Sequence, residues 1–322
     1  MNFTDRPPPP GNGFSAANLI NIDDVSDAEV RHILDLAEHY AGYLRRGERP
    51  PQRLAGKTQI NLFFEDSTRT NLSFELAGKK LGADVLNVPV AASSVNKGEA
   101  LIDTVQTLAA MGAHVVIARH KEPRVHDELA RRIACPVINA GDGVREHPTQ
   151  ALLDAATIRS AFGRIEGLVI AICGDIRHSR VAASDAGLFL RLGAEVRFVG
   201  PAHLMPDAGL FPAVRRYASL AAGIAGADVV MALRMQVERM DGEARASAAQ
   251  GYYEEFGLTH ATIRPAKPGA RIMHPGPMNR GVEIDGALAD DEQRSLILKQ
   301  VFYGVATRMA ALDALIMRGK DQ

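Results

Sequence analysis

This sequence is short of the groups that most readily announce a chemistry. It has two cysteines in 322 residues, Cys135 and Cys173. They are too few for a disulfide framework and lack metal-ligand spacing, and their apolar strand-like surroundings make them small buried hydrophobes. No His-Glu-x-x-His and no Cys-x-x-Cys offers a metal site. Gly174 stands without the partners of a G-x-G-x-x-G fingerprint, which excludes that mode of dinucleotide binding. Gly56-Lys57-Thr58 resembles the end of a P-loop, but Pro51 occupies the place of the first glycine and the segment precedes its strand. No serine or cysteine sits in a Gly-x-Ser-x-Gly elbow, so a covalent nucleophile is not evident.

Charge and hydropathy exclude further classes. The formal net charge is −1, so no overall field draws the chain to nucleic acid or to an acidic membrane. No apolar run reaches the ~18 residues of a membrane span. The N-terminal segment, with Pro7-Pro8-Pro9-Pro10, reads as a polyproline arm rather than a targeting peptide. The expectation is a soluble cytoplasmic protein with no cofactor.

What is present is strand–helix alternation over the whole length. Strands are expected at 58–64, 84–88, 114–118, 136–139, 168–173, 195–199, 228–232 and 271–273. Between them lie helical patterns such as 71–81, 99–111, 123–133, 148–162 and 184–192. Several helices stop at Gly-Ala before the next strand, as in Leu81-Gly82-Ala83 and Leu192-Gly193-Ala194. At ~150 residues per domain the length suits two domains. The fold class expected is α/β, with two doubly wound parallel-sheet domains of roughly four strands each, joined by helices. The helix at 148–162 is the candidate joint. A final apolar helix, from 294 to about 317, is expected to dock back on the N-terminal domain. The boundaries expected are 1–148 with 298–322 for one domain and 149–297 for the other.

In open α/β sheets ligands bind beyond the carboxyl ends of strands, and the chemistry-bearing residues cluster there. Glu65-Asp66-Ser67-Thr68-Arg69-Thr70-Asn71 follows the first strand where a helix begins. Helix N–H groups, hydroxyls and a guanidinium fork together make an anion cradle. The plainer reading is an ordinary N-cap, but an arginine beside the threonines shifts the balance to phosphate. Arg119-His120, Gly141 to Gln150, Gly174 to Arg180, Arg234-Met235-Gln236 and His274-Pro275-Gly276-Pro277 follow other strands. Cations and neutral donors without a redox centre suit transfer of an already activated group between anionic reactants.

Ser67-Thr68-Arg69-Thr70, His147-Pro148-Thr149-Gln150-Ala151-Leu152-Leu153-Asp154 and Met273-His274-Pro275-Gly276-Pro277 resemble, in order and spacing, the signatures of transcarbamoylases. The similarity runs from about residue 15 to the C-terminus. Ornithine-specific members carry Ser-Met-Gly and His-Cys-Leu-Pro, and neither occurs here. The resemblance therefore implies the aspartate-specific branch. Its members transfer the carbamoyl group of carbamoyl phosphate to L-aspartate, giving N-carbamoyl-L-aspartate and phosphate in de novo pyrimidine biosynthesis.

Residue by residue, the resemblance implies that Ser67, Thr68, Arg69 and Thr70 hold phosphate and that Arg119 bridges phosphate and carbamoyl oxygens. His147, with Thr70 and Arg119, donates to the carbamoyl oxygen, so Arg69, Thr70, Arg119 and His147 form the catalytic set. Gln150 and the carbonyls of Gly276 and Pro277 accept from the carbamoyl NH₂. Arg180 takes the α-carboxylate of aspartate, and Arg234 with Gln236 the β-carboxylate. Ser93 and Lys97 reach a neighbouring subunit's site, Lys97 touching both substrates, which implies a homotrimer with shared active sites. Asn96 and Gly276 depart from relatives that have lysine and leucine there. Regulatory or dihydroorotase-like subunits are further partners open to such a trimer. Competing readings are another amine acceptor, a catalytically dead structural or regulatory homologue, and a phosphate-sensing module. Retention of Lys97, Arg119 and His147 weighs against the second, and the acceptor-side arginines against the third.

Overall fold

The computed structural model describes residues 14–88, 100–235 and 242–318, with the backbone alone over 242–248. The chain packs as two units. One comprises Met1–Ala156 with Val301–Gln322, and the other Thr157–Gln300.

The first unit opens with α1, Asp27–Arg46. Ser26 caps it by accepting from the Glu29 N–H at 3.3 Å, while the Glu29 carboxylate accepts from the Ser26 N–H at 2.8 Å. This reciprocal box satisfies helix donors that would otherwise lack partners. Gly47, at φ 67°, closes the other end. There follow β1 (Thr58–Phe63), α2 (Thr68–Lys80), β2 (Asp84–Val88), α3 (Leu101–Ala110), β3 (Val115–His120), α4 (Val125–Arg132), β4 (Val137–Asp142) and α5 (Pro148–Phe162), whose last residues belong to the second unit. The strands form one parallel sheet in the order β2-β1-β3-β4. Ile60, Leu62, Val116, Ala118 and Val137 join Val105 and Leu129 from the covering helices in one core. Leu19 bridges Ile138 and lines the outer edge of β4. The β2 edge has no such cover among the described residues.

The second unit contains β5 (Val169–Cys173), α6 (Arg180–Arg191), β6 (Glu195–Val199), β7 (Arg215–Tyr217), α7 (Leu220–Ile224), β8 (Val229–Ala232), α8 (Gly242–Phe256), β9 (Arg271–Met273) and α9 (Gly286–Ala289). Its sheet is also parallel, in the order β7-β6-β5-β8-β9. Ala171, Cys173, Val199, Val230, Ala232 and Ile272 anchor its core. Burial pushes the Cys173 thiol well up, so it is inert, whereas Cys135 is only partly buried.

The last helix, α10 (Ile297–Ile316), returns to the first unit and packs on α1. The Tyr40 hydroxyl donates to Asp313 at 2.6 Å, Arg53 donates to Asp313 at 3.0 Å, and Tyr303 donates to Glu38 at 2.5 Å. The two parallel sheets and the docked terminal helix are as expected. The second sheet has five strands rather than about four, because β7 was not foreseen. Arg215-Arg216-Tyr217 lacks an apolar run, and a short charged edge strand is how natural sheets blunt their edges. Strands β3 and β4 also run past their expected ends, so Arg119, His120 and Asp142 lie within them.

Candidate active site

In the first unit the strand order reverses between β1 and β3, which are hydrogen-bonded neighbours with Phe63 opposite Arg119. Such a switch point opens a crevice beyond the strand ends. The Phe64 N–H donates to the Arg119 carbonyl at 2.9 Å, after which the chain turns into α2. Ser67 is the N-cap of α2. Its carbonyl accepts from the Asn71 N–H at 3.0 Å, yet its hydroxyl makes no capping bond. An ordinary cap would fold that hydroxyl back on the helix; here its own helix leaves it unengaged. Thr68 and Arg69 are exposed and Thr70 is buried. Partial desolvation draws the Arg69 guanidinium down from its ordinary value, but a group this exposed remains a cation.

Arg119 is buried, and its fork is clamped between two elements. Nη1 donates to the Ala140 carbonyl of β4 at 3.1 Å, and Nη2 to Glu65 Oε1 at 2.6 Å. An arginine held at both tips has little rotamer freedom left, which suits it to a fixed role. His147 precedes Pro148 at the start of α5, and its carbonyl accepts from the Gln150 N–H at 2.9 Å. Proline fits this first helical position because its missing N–H is not needed there. Gln150, buried one turn on, donates from Nε2 to Asp154 Oδ2 at 3.0 Å.

The loop leading to His147 is braced by Asp142. Its carboxylate accepts from Arg145 Nη2 at 2.7 Å, from Arg145 Nε at 3.1 Å and from the Arg124 N–H at 3.3 Å. Burial works to raise the Asp142 carboxyl, but the His126 imidazole beside it, at 3.7 Å, and the hydrogen bonds from Arg145 hold it below its ordinary range.

The second unit repeats the topology. Its order reverses between β5 and β8, and both strand ends bear arginine. Arg180 opens α6, behind Ser179, whose hydroxyl accepts from the Ala182 N–H at 3.1 Å. Arg234 follows β8. Both arginines are half-buried. Gly174 lets the two loops meet: at φ +132° a Cβ there would lie 2.8 Å from the Leu233 carbonyl. Beside them His178 Nδ1 lies 2.9 Å from the buried Asp175.

His274-Pro275-Gly276-Pro277 follows β9 and is held from within. His274 Nδ1 accepts from the Gly276 N–H at 2.8 Å, which puts the ring proton on Nε2, facing Glu283 at 3.1 Å. Glu283 also accepts from the Asn279 N–H and, at 3.5 Å, from the Met235 N–H. The Asn279 amide donates to the Met235 carbonyl at 3.1 Å. The Pro loop and the Arg234 loop are thus tied through one buried carboxylate.

Of the sequence-derived site residues, Ser67, Thr68, Arg69, Thr70, Arg119, His147 and Gln150 collect at the carboxyl end of the first sheet. Arg180, Arg234, Gly276 and Pro277 collect at that of the second. Ser93, Lys97 and Gln236 lie outside the described residues. Among the described residues no group of three or more His, Cys, Asp or Glu could hold a metal ion, and no helix is long and apolar enough to cross a membrane.

This arrangement has close counterparts. Residues 17–160 match the carbamoyl-P binding domain of aspartate/ornithine carbamoyltransferase, and residues 166–315 match its Asp/Orn binding domain. The chain belongs to the aspartate/ornithine carbamoyltransferase family. Within that family it is 53% identical to the aspartate carbamoyltransferase catalytic subunit of Sphingopyxis alaskensis, over 98% of this chain and 93% of the relative. It is also 53% identical to that of Parvibaculum lavamentivorans, over 94% and 92%. The aspartate transcarbamoylase of Trypanosoma cruzi in complex with carbamoyl phosphate superposes with a TM-score of 0.86, at 32% identity over 96% of this chain and 99% of that one. The M. Jannaschii catalytic subunit superposes at 0.83, with 33% identity over 95% and 100%.

Three supporting residues had no role in the sequence reading: Glu65, Asp154 and Glu283. Asp154 stood within a quoted motif, but its work depends on a helical turn. Glu283 joins the His274 loop to Met235, 48 residues earlier, and left no local signal.

Proposed function

We propose that this chain transfers the carbamoyl group of carbamoyl phosphate to the amine of L-aspartate, releasing N-carbamoyl-L-aspartate and phosphate. The observation that carries the reading is the pair of switch points. One is furnished for a phosphoryl group, with a Ser67 hydroxyl that does not cap its own helix, the α2 N-terminus, Arg69 and a clamped Arg119. The other is furnished for carboxylates, with Arg180 and Arg234 at the ends of β5 and β8. The relatives at 53% identity carry the same activity in their name.

In this reading Ser67, Thr68, Arg69 and Thr70 hold the phosphate, joined by Ser93 and Lys97 from a neighbouring copy. Gln150 and the carbonyls of Gly276 and Pro277 orient the carbamoyl NH₂. Arg180 holds the α-carboxylate of aspartate, and Arg234 with Gln236 and Lys97 the β-carboxylate. The aspartate amine attacks the carbamoyl carbon. Charge gathers on the carbamoyl oxygen, where Thr70, Arg119 and His147 donate, each such donor being worth about 3 kcal/mol in the transition state. The C–O bond to phosphate then breaks, and the departing phosphate takes the amine proton.

A homotrimer with shared sites follows from the same reading. Leu72 and Leu76 of α2 and Leu86 of edge strand β2 are 57%, 44% and 53% exposed. The Asn87–Glu75 hydrogen bond at 2.8 Å ties these two elements together. Apolar exposure beside an open edge supports burial against another copy. A cytoplasmic location suits the phosphorylated substrate.

The purified chain, given carbamoyl phosphate with L-aspartate or L-ornithine in parallel, tests the reading. Formation of N-carbamoyl-L-aspartate, lost in Arg234→Ala, is the expected outcome. Turnover with ornithine alone would overturn the acceptor.

A further inference from the structure

Asp154 and Arg308 are buried charges of the first unit that no step above uses. Asp154 has no exposed surface and Arg308 retains 4%. Asp154 lies one helical turn beyond Gln150 on α5, and it accepts from Gln150 Nε2 at 3.0 Å. Arg308, on α10, stands 5.0 Å from the Phe74 ring of α2 and donates from Nη1 to the Gly304 carbonyl at 3.3 Å. Its Nε has no hydrogen-bond partner. Burial depresses its guanidinium to about 9, while the opposite charge of Asp154 works to restore it.

A carboxamide has one donor end and one acceptor end, whereas an ionised carboxylate can only accept. Gln150 must therefore turn its NH₂ to Asp154, and Oε1 is the end left for a ligand. A carbamoyl NH₂ offers two donors and needs acceptors. Turned the other way, Gln150 would set donor against donor.

We propose that Asp154 is a positioning residue that holds the Gln150 carboxamide with its oxygen toward the carbamoyl nitrogen. The consequence is selectivity for carbamoyl phosphate over acyl phosphates that carry no N–H at that position. The inference rests on the carbamoyl-transfer reading and adds to it the device that reads the NH₂ group.

The test uses the full chain and measures by calorimetry the affinity for carbamoyl phosphate and for acetyl phosphate, in which CH₃ replaces NH₂. The wild type is expected to prefer carbamoyl phosphate. Gln150→Ala and Asp154→Asn are each expected to shrink that preference by roughly tenfold, the size of one hydrogen bond. The double variant should shrink it no further, since both act through one contact. An Asp154→Asn chain that loses both ligands equally, or whose effect adds to that of Gln150→Ala, would overturn the positioning role. Asp154→Ser is carried in parallel, and absence of a cooperative melt in both Asp154 variants would make the residue structural and defeat the proposal. A wild type that forms no N-carbamoyl-L-aspartate would remove the underlying reading. An active wild type with insensitive variants would sink this inference alone.

Discussion

His274 and Glu283 face each other at 3.1 Å, with almost no exposed surface on either, and Glu283 is the point where the Pro loop meets the Met235 backbone. Glu283→Ala would leave the His274 Nε2–H and the Asn279 and Met235 N–H groups without their acceptor. With about 1–3 kcal/mol for each unsatisfied buried group, the loss of stability should be at least about 2 kcal/mol. It should appear as a lower urea midpoint. The remaining folded protein should show a higher KM for the amine acceptor, because Met235 adjoins Arg234.

Gly174→Ala should damage the same half by a different route. The new Cβ would meet the Leu233 carbonyl at 2.8 Å on a backbone at φ +132°, and a main-chain oxygen cannot step aside cheaply. Separation of the β5 and β8 loops would move Arg180 and Arg234 apart. The expected result is a fall in kcat/KM for aspartate of at least about tenfold, given how sharply rate depends on placement. Binding of carbamoyl phosphate alone should change little.

Arg119→Lys keeps the charge and removes the fork. Lysine cannot span the Ala140 carbonyl and Glu65 as the guanidinium does. A fall in kcat of about a hundredfold is expected, with a lowered melting temperature, because a buried carbonyl loses its donor. Steady-state kinetics beside a thermal melt checks both halves of the prediction.

Glu29 gives the protein an acid-sensitive bond. Burial works to raise its carboxyl, but N–H groups of Ser15, Ala16 and Ser26 and the Ser26 hydroxyl bring it down to about 2, from 4.5. A carboxylate with a depressed folded value contributes stability that is complete above its unfolded pKa and is lost as pH falls through the folded one. The contribution should therefore decline from about pH 4.5 towards pH 2. Urea titrations from pH 6 to pH 3 should show a shallower acid decline in Glu29→Gln than in the wild type.

Most of the architecture was legible because its elements carry their own punctuation. The Gly-Ala exits from helices located strand starts, and the apolar runs of β1, β5 and β8 left little choice of type. The helix α1 was also written locally, in the Ser26-x-x-Glu29 box, although it was not among the helices named from the sequence. The strand β7 was not legible, since Arg215-Arg216-Tyr217 pairs with β6 without an apolar face of its own. At the site, the groups that would touch substrate follow strand ends and could be read in order. Their supports could not: Glu65 under Arg119, Asp154 behind Gln150 and Glu283 behind His274 are set by tertiary geometry. Ser67 shows the limit from the other side, because sequence names an N-cap but cannot say whether the hydroxyl will cap.

The return of α10 to the first unit has a temporal meaning. Asp313, which receives Tyr40 and Arg53, and Tyr303, which reaches Glu38, are made 273, 260 and 265 residues after the partners they hold. The unit synthesised first cannot close its core until the other has been made in full. During translation the order of folding is therefore inverted. The unit of β5–β9 can mature while that of β1–β4 waits with the α1 face uncovered, so removal of α10 would unsettle the unit of β1–β4 rather than the unit that directly precedes it in sequence.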